Sequence, residues 1–135
     1  MAHRIRIKVR GYHLDLYGHV NNARYLEFLE EARWAWVEER GDLAACTEKG
    51  YGFSVVNINI DYRRPAFLGE VLEVESSLAS RGRRSGVIHQ VVRLAGTDTL
   101  VAEADVTFVV VSAATGRAVP LDGEVSALLA GLGEE

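Results

Sequence analysis

Residues 22 to 40, NARYLEFLEEARWAWVEER, run without a glycine or proline. That is about five uninterrupted helical turns at 3.6 residues each. Tyr25, Leu26, Phe28, Leu29, Ala32, Ala35, Trp36 and Val37 wrap one broad side at helical spacing, and Glu27, Glu30, Glu31 and Glu38 gather opposite. An apolar face this wide has to be covered by something. Asn21 or Asn22 suits the N-cap and Gly41 the stop. Trp34 falls on the glutamate side, as a partly exposed aromatic or part of a subunit contact.

The cover has to come from strands, because the other long segments alternate with period two. In HRIRIKVR (3 to 10), Ile5, Ile7 and Val9 share one face, with arginines and a lysine on the other. In 53 to 62, Val56, Ile58, Ile60 and Tyr62 oppose Asn57, Asn59 and Asp61. Alternation recurs over 71 to 79, 87 to 94 and 100 to 111. Pro65 and Gly69 mark one turn, and Arg81-Gly82-Arg83 and Gly96-Thr97-Asp98 suit hairpins. Asp122 is placed to cap a short helix holding Val125, Leu128 and Leu129.

The expected fold class is therefore α+β: a strand, a long helix, then four strands in a meander, with the helix packed on one face of a five-stranded antiparallel sheet. A length of 135 residues fits a single domain over 1 to 135. One helix cannot cover five strands, and a valine scatter (Val55, Val71, Val87, Val91) is expected on the far face. Joining two sheets edge to edge removes an exposed edge, so a symmetric dimer is expected.

Bulk properties exclude several classes. A net charge of -4 argues against nucleic acid as the main partner. Basic spots remain at Arg63-Arg64 and around Arg81, Arg83 and Arg84. The one cysteine, Cys46, permits no intrachain disulfide and suits a reducing compartment. It lacks a glycine elbow or a nearby histidine, so a small buried apolar role is expected. No run is long enough to span a membrane, and the N-terminus lacks the apolar core of a signal peptide, so a cytoplasmic protein is expected. Phosphate loops, dinucleotide fingerprints, G-x-S-x-G elbows and CxxC pairs do not occur.

Chemistry concentrates in RGYHLDLYGHVNNARY, residues 10 to 25. Asp15 follows a strand and precedes the helix start, where unpaired N–H groups and the positive end of the helix dipole lie. A carboxylate and such donors aimed at one point can attack a carbonyl and hold its oxyanion. The alternative for Asp15 is an ordinary loop aspartate making a turn bond. With Asn21 as N-cap, the backbone N–H of Asn22 or Ala23 is free for an oxyanion. Gly18 lets the backbone approach a ligand closely. In an extended loop His13 points the same way as Asp15 and can orient it. His19 is placed to contact a substrate or to hydrogen-bond the loop, and Tyr12, Tyr17 and Tyr25 are possible pocket walls. His13, Asp15 and His19 match no recognised zinc spacing, so no metal is expected.

The run YHLDLYGHVNNARYLEFLEEARW, with the later NINIDYRRPA, resembles the hotdog-fold acyl-CoA thioesterases of the 4-hydroxybenzoyl-CoA thioesterase type, with a closer likeness to bacterial long-chain members. The likeness covers roughly residues 4 to 120; the helix motif is specific and the later strands generic. It implies a thioester hydrolase in which Asp15 is the general base or nucleophile and the amide near Asn22 polarises the carbonyl. Many members of the wider family carry a second acid where this chain has His13, so the resemblance favours a single-carboxylate mechanism. It further implies an acyl-CoA substrate, no cofactor beyond it, and a homodimer or homotetramer with the site at the dimer interface and segment 53 to 64 supplying partner residues. Tyr17, His19, Arg63 and Arg64 become candidate substrate contacts, the two arginines for the coenzyme A nucleotide. An acyl-carrier-protein thioesterase and a non-catalytic acyl-thioester binding module are the alternatives.

Overall fold

A computed structural model describes residues 2–133. The elements are β1 (His3–Lys8), a 3-10 turn at Gly11–His13, α1 (Asn22–Arg40), α2 (Leu43–Glu48), β2 (Tyr51–Tyr62), β3 (Val71–Arg81), β4 (Ser85–Leu94), β5 (Leu100–Ser112), β6 (Ala118–Val119) and α3 (Gly123–Gly133). The sheet is antiparallel, in the order β1-β3-β4-β5-β2, with the two-residue β6 adding to β5. The long helix occupies the predicted residues. Asn21 is its N-cap, accepting from the Ala23 backbone N–H at 2.9 Å, and Gly41 follows its end.

The four-strand meander needs correction. β3, β4 and β5 do follow one another as neighbours, but β2 lies at the far edge against β5. There Phe53, Val55, Ile58 and Ile60 stand opposite Val110, Phe108, Val106 and Ala104, so the apolar faces of the two longest strands merge. Segment 63–70 is thus no hairpin turn. It carries the chain across the end of the sheet, from one edge strand to the neighbour of the other.

The phase of β2 also differs from strict alternation. One extra residue between Val55 and Asn57 makes a bulge. Val55 turns to the helix side, and Val56 is left 58% exposed. The expected valine scatter is corrected with it. Val55 leaves the far face, Val91 is buried, and cross-strand ion pairs dominate the remainder: Arg4 with Glu75 at 2.6 Å, Arg93 with Glu75 at 3.0 Å and His89 with Asp105 at 2.8 Å.

Two apolar clusters share α1. Tyr25, Phe28, Leu29 and Ala32 pack with Leu72, Val74, Val92 and Val101. Further along, Trp36 sits with Ile88, Val106, Phe108, Val125 and Leu129. The buried stripe is narrower than the sequence suggests, for Leu26 is exposed. Helix α3 covers what α1 cannot, approaching so closely that a Cβ at Gly131 would overlap the Arg40 carbonyl oxygen. The short α2 was not anticipated. Its local signal was Asp42, whose side chain accepts from the Ala45 N–H at 3.0 Å as an N-cap.

Gly86 makes a second close approach, since a Cβ there would lie 2.6 Å from the Phe108 ring. Gly86→Ala is therefore expected to cost about 1–3 kcal/mol through overpacking, read as a lower thermal midpoint. An unchanged midpoint would mean that Phe108 moves aside freely.

Candidate active site

Loop 9–20 is closed on itself and on the β2–β3 crossover. Leu14 bridges Val20, and the Asp15 N–H donates to the His19 carbonyl at 2.7 Å. Val20 N–H donates to the Ala66 carbonyl at 2.9 Å, Val9 N–H to that of Glu70 at 2.8 Å, and Gly69 N–H to that of Val9 at 3.0 Å. Two loops distant in sequence thus form one layer at the start of α1.

Within it, Asp15 is half-buried. Its Oδ1 accepts from the backbone N–H of Tyr17 at 2.9 Å and of His19 at 3.3 Å. The turn-making role and a free carboxylate oxygen therefore coexist, because Oδ2 has no protein partner among the described residues. The helix start leaves a matching donor. Ala23 N–H is taken by the Asn21 side chain and Arg24 N–H by the Asn21 carbonyl, whereas the Asn22 N–H finds no acceptor among the described residues. Of the two amides left open by sequence, Asn22 is the available one. The Tyr62 hydroxyl donates to the Asn22 carbonyl at 2.9 Å and ties the end of β2 to this turn.

The remaining candidates behave differently. Gly18 has φ +79°, a left-handed turn that favours glycine, while a Cβ there would meet nothing within 4 Å. Its need is conformational, and crowding is not the reason for it. His13 does not orient Asp15. The 3-10 turn breaks the extended path, and the His13 ring packs edge-on against Phe28 while Nδ1 accepts from the Arg10 N–H at 2.9 Å. Burial, helped by the Arg24 charge, lowers the His13 pKa and favours the neutral ring. His19 stacks edge-on with Phe67, and Tyr17 points into solvent at 78% exposure.

Arg63 and Arg64 prove already paired, Arg63 with Glu103 at 3.1 Å and Arg64 with Glu70 through two bonds at 3.1 and 3.2 Å. Neither offers an unmatched charge to a phosphate. Arg64 instead holds the crossover: its bond to Glu70, and the Phe67 N–H with it, keeps the Glu70 carboxyl below the usual range. A carboxyl with a lowered folded pKa stabilises above its unfolded value and loses that contribution as pH falls. The contribution of Glu70 should therefore fade as pH falls below about 4.5, and Glu70→Gln should flatten the stability–pH curve there. Equal acid sensitivity in both proteins would exclude Glu70 as a contributor.

At the far half of α1 lies a cavity of about 350 Å³, walled by Trp34, Trp36, Val37, Leu43, Phe53, Val55, Phe108 and Leu129. An apolar tunnel beside the helix is what a fatty acyl chain needs, but its walls could not be read from the sequence, since they come from α1, α2, β2, β5 and α3 together. Cys46 is one lining residue, and burial, with Asp42 second, pushes its thiol pKa up and away from nucleophilic use. No cluster of three metal-binding side chains occurs among the described residues.

Antiparallel sheet, central helix, loop aspartate and free amide together define a thioesterase-like architecture, and the chain belongs to the thioesterase-like superfamily, whose family model matches residues 9–129. Over 120 residues, 89% of this chain and 91% of the relative, it is 50% identical to the long-chain acyl-CoA thioesterase FadM of Escherichia coli (strain K12). The crystal structure of YbaW from Escherichia coli superposes with a TM-score of 0.92 at 46% identity, covering 97% of this chain and 98% of that one. A 1,4-dihydroxy-2-naphthoyl-CoA thioesterase from Synechocystis shares the fold, with a TM-score of 0.83 at 19% identity and 98% of each chain covered.

Proposed function

We propose that the protein hydrolyses fatty acyl-CoA, long-chain by analogy with its relative, to free acid and coenzyme A. The observation that carries this is that one carboxylate oxygen of Asp15 and the Asn22 N–H, a few residues on at the helix start, both lack a partner among the described residues. The N–H polarises the thioester carbonyl and receives its oxyanion, aided by the helix dipole. Asp15 either draws a proton from a water that attacks the carbonyl and expels the coenzyme A thiolate, or attacks the carbonyl itself, expelling the thiolate to leave a mixed anhydride that water then opens to the free acid. Single turnover in oxygen-18 water separates these, because label in Asp15 excludes simple base catalysis. Coenzyme A enters as part of the substrate, with no further cofactor. Thiol release from acyl-CoA and acyl-carrier-protein panels tests the reading. Selective turnover of the carrier protein would move the assignment to that substrate, and binding without turnover would make the protein a binding module.

The working unit is a homodimer in this proposal. β2 is an edge strand of 12 residues whose Phe53, Val55, Val56 and Tyr62 are exposed. Antiparallel pairing with a second β2 removes both edges. It also sets the Phe53 end of one protomer beside the Tyr62–Asn22 end of the other, so each cavity mouth faces the partner's helix start. The charged far face argues against a tetramer built through it. Light scattering should give twice the chain mass, and a monomer that retains full activity would reject the arrangement. No helix among the described residues is long and apolar enough to cross a membrane.

A further inference from the structure

One wall of the cavity does not suit a plain hydrocarbon. Arg33 lines it beside Trp34, Phe53 and Phe108. Among the described residues the Arg33 guanidinium makes one hydrogen bond, from Nη1 to Gln90 Oε1 at 3.0 Å, and no ion pair. Gln90 is fully buried, and its NH₂ is committed to the Leu29 carbonyl at 3.0 Å and Ser76 Oγ at 2.9 Å. Its oxygen must therefore face Arg33, which fixes the arginine from the floor of the sheet. Glu30, at the rim, accepts from Trp34 Nε1 at 3.4 Å and stands beyond ion-pair distance of Arg33. Burial pushes the Arg33 pKa down, only partly opposed by Glu30.

A guanidinium carries five donors, and a neutral amide uses one here. Holding a cation at an apolar wall with its nearest carboxylate, Glu30, outside ion-pair distance is costly, and its forked geometry matches oxygen acceptors. We propose that Arg33 selects acyl chains that carry an oxygen function along their length, a terminal carboxylate most strongly and a hydroxyl less so. This rests on the cavity being the acyl site of the thioesterase proposed above. Arg33 is a specificity residue and takes no part in bond breaking.

The test compares acyl-CoAs of eight to sixteen carbons in three series: unsubstituted, ω-hydroxy and ω-carboxy. At one or more lengths the carboxylate series should exceed the unsubstituted series in kcat/KM by about tenfold, with the hydroxyl series between. Arg33→Met should erase that ratio, bringing kcat/KM for the carboxylate and hydroxyl series down to that of the unsubstituted series measured in the same variant. Equal rates for the three series at every length would overturn the proposal, as would a ratio that survives Arg33→Met. Should that variant fail to fold, inhibition of the wild type decides. Dicarboxylic acids should inhibit more strongly than monocarboxylic acids of equal length, and equal inhibition rejects the role. Loss of all acyl-CoA turnover in the wild type would instead remove the thioesterase reading itself.

Discussion

Asp15→Asn is expected to lower kcat/KM for acyl-CoA by a hundredfold or more, the order of a lost general base. The fold should survive, because the structural duty of Asp15 falls on one oxygen. Oδ1 accepts from Tyr17 and His19, and an asparagine oxygen can accept the same two bonds. What the substitution removes is the other carboxylate oxygen, which has no partner among the described residues. Thiol release and thermal unfolding measured on one preparation separate the two effects. A melting midpoint near wild type with activity lost supports the assignment. Activity within a few-fold of wild type would remove Asp15 from the chemistry and leave it a turn residue.

Trp36→Ala should have the largest effect on stability. Trp36 is 1% exposed and joins α1 to Phe108 on the sheet and to Val125 and Leu129 on α3. Truncating a buried tryptophan costs about 3–5 kcal/mol, from lost transfer energy and the void left behind. At this chain length that corresponds to a fall of roughly 10–20 °C in thermal midpoint. The existing cavity beside Trp36 argues for the upper part of the range, since its walls already stand open and have little scope to collapse inward. A shift of only a few degrees would show that α3 closes over the gap.

Much of this molecule was legible in the sequence because its signals are local. The α1 boundaries follow from Asn21, Gly41 and an unbroken 3.6-residue pattern between them. Asp15 and Asn22 stand out as candidates because a helix start announces its free donors within a few residues. Long-range facts were not legible. Nothing in the Val55-Val56-Asn57 segment reveals that a bulge shifts the phase of β2, since the extra residue is defined only by what β5 sets opposite. His13 was misplaced for a related reason: extended geometry was assumed where a 3-10 turn intervenes. Charge could be counted at Arg63 and Arg64, but their carboxylate partners include Glu103, forty residues away. Arg33 and Gln90 escaped notice on the same ground. A lone arginine on a helix and a lone glutamine in a strand acquire meaning only when the helix lies on that strand.

The stitching of loop 9–20 to the 63–70 crossover bears on when during folding this protein becomes competent. Val9 and Val20 find their backbone partners at Glu70 and Ala66, 61 and 46 residues further on. Contacts of that separation carry a loop-closure penalty that a helix does not face. The chain can wind α1 and pair β3 with β4 while Asp15 still lacks its supporting layer. Only when β2 has crossed to the far edge and the chain has returned to β3 are the two loops within reach. The candidate corner is therefore the part of the fold that rests on long chain closures, and a chain ending before Glu70 would lack the carbonyl that the Val9 N–H bonds.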